Sequence, residues 1–347
     1  MATIKIMSWN MEWMNDLFGP NDRPVAFKPD NANPAHNPNT TIKQRRESLS
    51  GVINELQPDV VLVVEGPNRT GELQLFFDTD VNGDWQTHVQ YTKGQTQNNG
   101  IAVRTDTGKF DAVPITVFDT NDMPVFDAFT IDTDDDLIIE THKYERKPLY
   151  AELHPRPGDL FRLMGLHLKS KGIFGAYEWS KWWKIAEGNR KKLLAQATIL
   201  RMKFLDNYLT AEETEDIPLI VAGDINDGPG LDAAEKRIFG SAMERLMGSI
   251  WKPHLCLGNA VFDSLAAKQQ EQLDFKKVYS ASFKDPIFNN VWQRDWIDHI
   301  LYTRNGPANW VSAGTIHTRM ASGRWMWEAY PHASDHFPIT ADINPGG

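Results

Sequence analysis

The chain has 347 residues, and its 36 Lys and Arg residues against 46 Asp and Glu residues give a formal net charge of −10. This balance argues against a protein that coats nucleic acid with its whole surface, because such binding needs a basic face, although a local basic groove is still allowed. The single cysteine, Cys256, excludes an intramolecular disulfide, and no run approaches the roughly 18 to 20 apolar residues of a membrane span. Without a recognisable signal peptide a cytoplasmic protein is expected, and removal of a leader would leave secretion open.

Six short apolar runs each touch a polar residue that can bind a metal or move a proton. Runs of this length, rich in β-branched residues and bounded by turn formers, are typical of buried strands. In chain order the polar residues are Asn10 after IKIMSW, Glu65 after VVLVV, His167 after FRLMGL, Asp224 after PLIVAG, Asp298 at the start of IDHILY, and Asp335-His336 before FPITADI.

The direction of these strands follows from where the polar residues stand. Four of them follow their run and two precede it, so all can share one edge only if the last two strands run antiparallel to the others. The pattern predicts a mixed sheet, or two of them, with a Mg²⁺-type phosphate-ester site along one edge. Because the positions extend from residue 10 to residue 336, both ends must fold together, and a single catalytic domain over residues 1–347 is expected.

A loop and a helix are predicted between the first two runs. The Asn- and Pro-rich stretch of about residues 19–41 holds too many turn formers for a helix, and we expect a loop insertion over the mouth of the site. Apolar residues at helical spacing then predict a helix from Ile42 to Leu56, which Pro58 ends.

A longer helix is predicted from about Ala176 to Leu209. Its first turns carry three tryptophans that either stack on bases or sugars or cover the core, namely Trp179, Trp182 and Trp183. A basic stretch overlaps the start of this helix and is either a nucleic-acid groove or a solvated face; it comprises Lys169, Lys171, Lys181, Lys184, Arg190, Lys191 and Lys192.

The residue types indicate a hard divalent cation. Glu65 and Asn10 offer the oxygen ligands that Mg²⁺ and Mn²⁺ prefer, whereas one cysteine and no paired histidines argue against zinc. In the segment from Asp224 to Pro229, alternation points Asp224 and Asn226 the same way, and such a pair can hold a water and a phosphate oxygen. The alternative for Asp-x-Asn before Gly-Pro is a simple Asx turn.

Two histidines complete the candidate site. His336 follows Asp335 directly, and Asp298 offers a carboxylate that can accept its ring N–H; an imidazole held in this way serves as a base or a phosphate-stabilising acid. His167 is a candidate phosphate ligand, with Lys169 two residues later on the same face.

These motifs, in this order, resemble the endonuclease/exonuclease/phosphatase superfamily, which is similar to DNase I and exonuclease III. The matching segments are Ser8-Trp9-Asn10, Val64-Glu65, Gly165 to Lys171, Gly223 to Asp227, Trp296 to Leu301 and Ser334-Asp335-His336. The resemblance spans nearly the whole chain and implies an α+β fold, a four-layer αββα sandwich with two packed mixed β-sheets.

The resemblance also implies roles. It makes Glu65 the principal metal ligand, assisted by Asn10, with Asp335 near the metal. The implied catalytic residues are His336 with its partner Asp298, Asp224 and Asn226 around the water and the phosphate, and His167 as the second histidine. Arg146, in Arg-x-Pro, resembles a phosphate-contacting arginine, and a plain strand-start arginine is the competing interpretation.

One departure concerns the support of His167. Related DNase-like proteins carry a Glu ahead of the strand that matches Gly100 to Arg104, whereas this chain has amides and a threonine from Gln95 to Asn99. An amide holds a neutral imidazole but does not stabilise an imidazolium, so His167 is expected to act as a neutral ligand.

The implied activity is hydrolysis of DNA or RNA by in-line attack of water with Mg²⁺ or Mn²⁺. The alternatives are a phosphatase or a sphingomyelinase- or phospholipase C-like esterase, for which Trp325, Trp327 and Tyr330 either contact the substrate or pack a loop, and a non-catalytic binding protein of the same fold. The sequence leaves open the substrate, endo- or exonucleolytic cutting, the number of metals and the oligomeric state.

Overall fold

The computed structural model describes residues 3–173, 178–285 and 291–346. The strands in these ranges are β1 (Ile4–Asn10), β2 (Val60–Gly66), β3 (Trp85–Gln90), β4 (Asn98–Arg104), β5 (Phe110–Phe118), β6 (Phe129–Ile131), β7 (Glu140–His142), β8 (Leu149–Pro155), β9 (Phe161–His167), β10 (Leu219–Asp224), β11 (Gly258–Asn259), β12 (Ala281–Asp285), β13 (Val291–Asp295), β14 (Asp298–Tyr302), β15 (Val311–Ile316) and β16 (Ile339–Ile343).

The helices lie mainly in the connections between strands. They are α1 (Ile42–Leu56), α2 (Thr70–Asp80), α3 (Trp179–Ile199), α4 (Asp206–Tyr208), α5 (Glu235–Ile238), α6 (Ala242–Met247), α7 (Ala260–Ser264), α8 (Ala267–Glu271) and α9 (Met326–Ala329). A π-helical segment, Leu200–Leu205, joins α3 to α4, and single 3₁₀ turns occur at Met14–Leu17, Thr120–Asp122, Pro124–Phe126 and Pro253–Leu255.

Two mixed sheets of six described strands each carry the fold. Their strand orders are β15-β16-β1-β2-β4-β3 and β11-β14-β10-β9-β8-β5, and β12-β13 and β6-β7 form two small ribbons. In the first sheet β1 is parallel to β2 and antiparallel to β16; in the second β10 is parallel to β9 and antiparallel to β14. The prediction that the last two site-bearing strands run antiparallel to the others is therefore confirmed.

Side-chain alternation along β2 shows how the layers form. Val60 and Leu62 enter the core between the two sheets, while Val61 and Val63 pack outward with residues of α1 and α2. A strand covered on both faces is apolar at every position, which explains its unbroken VVLVV run. On the second sheet α3 and its π-helical extension cover the outer face. The predicted four-layer αββα sandwich is confirmed.

The predicted helices agree with the structure where it describes them. α1 has the predicted bounds, and its N-terminus is a capping box in which Thr41 accepts from the Gln44 N–H. Helical structure continues to Tyr208, close to the predicted end at Leu209, whereas the predicted start at Ala176 and the side chain of Trp179 lie outside the described residues. Trp182 is half-buried and Trp183 is exposed, so neither fills the core as the covering interpretation expected.

The Asn- and Pro-rich segment contains turns and one isolated bridge, between Phe18 and Phe27. It reaches the N-terminal part of the site, where Asn37 Nδ2 lies 3.4 Å from Glu12 Oε1. Among the described helices none is both long and apolar enough to cross a bilayer.

Candidate active site

The six predicted site positions meet at one edge of the sandwich, and both sheets contribute. Asn10 ends β1 and Glu65 stands one residue before the end of β2, while His167 and Asp224 end β9 and β10. Within the second sheet, Asp224 lies directly opposite His167 on one side and opposite Asp298 on the other. The strand ends thus place residues 10, 65, 167, 224 and 298 side by side.

Asn10 joins the two sheets at this edge. Its amide nitrogen donates to Glu65 Oε1 at 3.3 Å and to Asp224 Oδ2 at 3.0 Å. Its amide oxygen accepts the backbone N–H of Glu12 at 2.9 Å. In this arrangement Asn10 holds two carboxylates together, and its amide oxygen is engaged with the backbone.

A bulge in β2 aims Glu65 into the site. The pairing with β4 shifts between Val63 and Gly66, and Glu65 has a left-handed φ of 57°. A non-glycine residue in this region is strained, and bulges of this kind redirect a side chain from its strand. Glu65 Oε2 accepts from the Trp13 N–H at 2.9 Å and from Gln97 Nε2 at 2.5 Å, so both carboxylate oxygens are fixed.

His336 and Asp298 form a dyad in the expected orientation. His336 Nδ1 lies 2.8 Å from Asp298 Oδ2, which leaves Nε2 facing the site. Ser280 Oγ donates to the same carboxylate oxygen at 2.8 Å and accepts the backbone N–H of Asp298 at 2.9 Å. Burial alone would lower the pKa of His336, but the carboxylates of Asp298, Asp335 and Asp224 raise it well above its ordinary value.

His167 lies at the inner end of the site. Its Nε2 is 3.8 Å from both Glu65 Oε1 and Asp224 Oδ2, and its Nδ1 is buried with no hydrogen-bond partner among the described residues. Burial, with the charges of Arg146 and His336, lowers the pKa of His167 well below its ordinary value. This direction agrees with the expectation of a neutral imidazole.

The segment from Asp224 to Asn226 forms an Asx-type turn, which was the alternative to a role in the site. The same segment also lines the site. The backbone N–H of Asn226 donates to Asp224 Oδ1 at 2.9 Å, an Asx-type contact, and Asn226 has a left-handed φ of 57°. Asn226 Nδ2 donates to the Leu168 carbonyl at 3.1 Å. The turn therefore fixes Asp224 and keeps the Asn226 side chain against the end of β9.

Arg146 brings positive charge to the same edge. Its Nη1 lies 3.3 Å from Gln97 Oε1, and its Nε is buried with no acceptor within the part of the chain that is described. Burial lowers the pKa of Lys169, and the neighbouring charge of Arg146 lowers it further, so the two cations lie near each other. Two adjacent, incompletely paired cations can bind a phosphate group.

Asp335 lies on the other side of the imidazole from Asp298. Its Oδ1 is 3.9 Å from His336 Nε2, and its side chain is 39% exposed. Arg45 secures this region from α1: its guanidinium donates to the carbonyls of Met11 and Glu12 and, at 2.9 Å, to that of His332. One arginine thus links the segment after β1 to the segment before His336.

The donors present fit a hard divalent cation. Burial raises the pKa of Asp224 to about 7, and the neighbouring carboxylates of Asp298 and Glu65 add to the effect. A buried carboxylate has a raised pKa when no positive charge lies nearby to stabilise its ionised form. A bound dication would provide that charge. Asp224, Asp298 and His336 offer ligand atoms within 4.8 Å of one another, but the last two are engaged as a dyad, which leaves Glu65, Asp335 and Asp224 as available carboxylates.

The basic stretch after His167 is largely paired within the protein. Lys171 contacts Asp227 and Glu235, Arg190 contacts Asp232, and Lys191 contacts Asp134 at 2.8 Å. These pairs fix the loop after Asp224 and the surface beside α3. The solvated-face interpretation therefore describes this stretch better than a free nucleic-acid groove.

Sequence reasoning missed several residues that position the site. Gln97 contacts Glu65, Ser280 contacts Asp298, and the Glu12 backbone contacts Asn10, while Arg45 contacts Glu12 and the carbonyls beside it. Only Gln97 had a signal, in the amide run that replaces the expected Glu. Tyr330 was a candidate substrate contact, but its hydroxyl donates to Glu55 at 2.8 Å, as loop packing predicts.

No family model and no curated protein matches this chain. Solved structures of similar architecture include D. rerio TDP2 complexed with a single-strand DNA product, at 17% identity and a TM-score of 0.49 over 99% of this chain and 100% of that chain. The human Nocturnin catalytic domain with bound sulfate has 15% identity and a TM-score of 0.47 over 99% and 94% of the two chains. An endonuclease/exonuclease/phosphatase family protein from Bacteroides thetaiotaomicron has 15% identity and a TM-score of 0.49 over 99% and 98%.

Proposed function

We propose that this protein is a Mg²⁺- or Mn²⁺-dependent phosphodiesterase of the endonuclease/exonuclease/phosphatase superfamily, and that it is a nuclease acting on DNA or RNA. The observation that carries the proposal is that the His336–Asp298 dyad lies beside Asp224, which Asn10 links to Glu65. An aspartate-oriented imidazole beside clustered carboxylates suits hydrolysis of a phosphate ester.

Glu65 and Asp335 are the residues that we assign to hold the ion. When bound, the ion offsets negative charge on the phosphoryl oxygens and on the leaving group. Asn10 and Gln97 fix the Glu65 carboxylate, and Arg146 and Lys169 bind a phosphoryl oxygen from the side of His167.

Proton transfers are assigned to Asp224 and His336. Asp224 accepts a proton from the attacking water, which it holds together with Asn226 as the new bond to phosphorus forms. His336 donates its Nδ1–H to Asp298 and presents Nε2 to the phosphate, where the imidazolium stabilises the charge of the leaving oxygen or gives it the Nε2 proton as its bond to phosphorus breaks. Asn226 and His167 orient the phosphate without changing protonation.

Substitution of the imidazole tests the chemistry. We expect His336→Asn to lower turnover of bis(p-nitrophenyl) phosphate and of oligonucleotides by about 10²- to 10⁴-fold, because a positioned acid or base is worth that much. His254→Asn, at an exposed histidine, is the matched control and should leave turnover unchanged. Undiminished turnover in His336→Asn with Mg²⁺ would contradict the assignment.

A substrate panel tests the class of ester. Plasmid, single-stranded DNA, RNA, inositol phosphates and sphingomyelin are incubated with Mg²⁺ and with EDTA. Cleavage of nucleic acid that EDTA abolishes supports the proposal, and turnover of only the inositol or lipid esters would replace the nuclease by the phosphatase or lipase alternative.

A further inference from the structure

A cleft beside the dyad is lined by aromatic and basic side chains that the catalytic assignment does not use. Its volume is about 520 Å³, and its seven lining residues are Phe275, Lys276, Ser282, Trp292, Gln293, Arg294 and Trp327. We call it the tryptophan cleft. Trp292 is 58% exposed, so its ring is open to a ligand.

The two indoles of the cleft lie close together and nearly parallel. The ring centroids of Trp292 and Trp327 are 6.4 Å apart, and their planes differ by only 23°. A ring inserted between two others needs roughly 7 Å, because stacked bases repeat at about 3.4 Å, so a base stacks on the exposed part of the Trp292 indole and does not enter between the two rings. Trp325 stacks on Trp327 at 4.7 Å and 9°, and Trp327 also contacts Phe337 at 5.7 Å, so one wall of the cleft is firmly supported.

The charge of the cleft suits a polyanion. Lys276 and Arg294 are both exposed, and the lining residues that the structure describes include no carboxylate, although the whole chain carries a net charge of −10. The Lys284 ammonium lies 5.4 Å from the Trp292 ring centre, which adds a third cation to this surface. Four of the seven lining side chains are polar or charged, a composition that favours a nucleotide over an acyl chain.

The cleft is joined to the dyad by backbone pairing. Ala281, next to Ser282, forms an antiparallel bridge with His336, and the Ser282 N–H donates to the Asp335 carbonyl at 2.9 Å. On the other wall, Trp327 packs on Phe337, the residue after His336. These contacts connect both walls of the cleft to the residues on either side of His336.

We propose that the tryptophan cleft binds an unpaired nucleobase stacked on the Trp292 indole, and that the protein prefers single-stranded nucleic acid. The inference rests on the proposed function, whose site it extends. A base in a duplex is already stacked on both faces and paired along one edge, so an unpaired base is the one that is free to stack on an indole. Lys276 and Arg294 bind the phosphates that flank this base.

Binding of matched oligonucleotides tests the proposal. The ligands are a fluorescein-labelled thymidine octamer, an abasic octamer with the same number of phosphates and a duplex of the same length, measured by fluorescence anisotropy with Mg²⁺ in a His336→Asn background. We expect Trp292→Ala to weaken binding of the thymidine octamer by about 5- to 150-fold, the usual effect of losing one base–aromatic stack, and to leave binding of the abasic octamer unchanged.

Two further variants separate stacking from other effects. Trp251→Ala removes an indole that is 87% exposed and outside the cleft, and it should change affinity by less than about twofold. Trp292→Phe keeps a ring and should retain most of the affinity. Thermal denaturation of each variant verifies that the fold is intact.

The outcomes distinguish this inference from the proposed function. If Trp292→Ala binds the thymidine octamer as well as the background protein does, or if the abasic octamer or the duplex binds equally tightly, the cleft does not hold an unpaired base. A Trp292 effect confined to phosphatidylcholine vesicles would assign the surface to lipid instead. If octamer binding depends on Trp292 but the wild type cleaves no nucleic acid, the proposed function fails while the cleft inference stands.

Discussion

Gln97 shows how one residue ties the site together. It donates to Glu65 Oε2 and accepts from Arg146 Nη1 at 3.3 Å, so it stands between the assigned metal ligand and the assigned phosphate ligand. Its own φ is 61°, another left-handed position at the edge of the site. An amide can serve both partners at once, because it offers a donor to the carboxylate and an acceptor to the guanidinium.

We predict that Gln97→Leu lowers kcat/KM for a phosphodiester by about 10- to 100-fold, the range seen when a residue that orients a metal ligand is lost. The change leaves Glu65 Oε2 with one hydrogen bond and Arg146 Nη1 without its acceptor. Gln86→Leu, at an exposed position of β3, is the control and should retain full activity. Full activity of Gln97→Leu would show that Glu65 is held well enough by Trp13 and Asn10.

At the level of elements, the close pairing of β9 and β10 sets the distance between His167 and Asp224. Gly223 precedes Asp224 with a φ of 132°, and a Cβ there would lie 2.0 Å from the Leu166 carbonyl oxygen. Only glycine meets both conditions, so this position fixes how the two strand ends meet.

We predict that Gly223→Ala lowers the free energy of unfolding by at least about 1 to 3 kcal/mol, the cost of a strained backbone residue, before the contact with Leu166 is added. Urea denaturation measures the loss, and activity should fall with it because the strand ends move apart. Gly188→Ala lies in an exposed turn of α3 with open space around it, and there the same substitution should stabilise the protein by about 0.5 to 1 kcal/mol. Equal stability of the two variants would contradict the assigned role of Gly223.

Across the whole molecule, the site depends on carboxylates that the two sheets bring together. A dication bound as proposed would relieve their mutual repulsion and burial, and metal binding would then be linked to folding. A second acidic cluster lies outside the site and consists of Asp132, Asp134 and Asp136. It is partly paired with Lys191, so it serves as the control for metal binding at the candidate site.

We predict that Mg²⁺ or Mn²⁺ raises the Tm of the metal-free protein, with a stabilisation of about 2.7 kcal/mol when the ion is at 100 times its Kd. Glu65→Gln should abolish this rise in Tm, whereas Asp134→Asn should preserve it, as measured by differential scanning calorimetry. The reverse result would move the ion from the catalytic edge to the second cluster.

Local pattern explains which parts of the molecule were predictable. The six strands that carry site residues, their relative directions and the positions of those residues follow from apolar runs and from which end carries the polar residue. Contacts between distant segments determine the Glu65 bulge, the amide contacts of Asn10 and the approach of Gln97. Such contacts cannot be predicted from the spacing of apolar residues within one segment. For the same reason the sequence could not place Trp292 opposite Trp327, since the gap between them is set by how β13 and α9 pack.

The placement of β16 ties the continuity of the first sheet to the proposed catalytic histidine. This strand lies between β15 and β1, and His336 stands three residues before it. A polypeptide truncated before residue 336 lacks both the imidazole and the strand that joins β1 to β15. If His336 has the proposed role, such a product is inert for two independent reasons, because one truncation removes the histidine and also interrupts the sheet that carries Asn10 and Glu65.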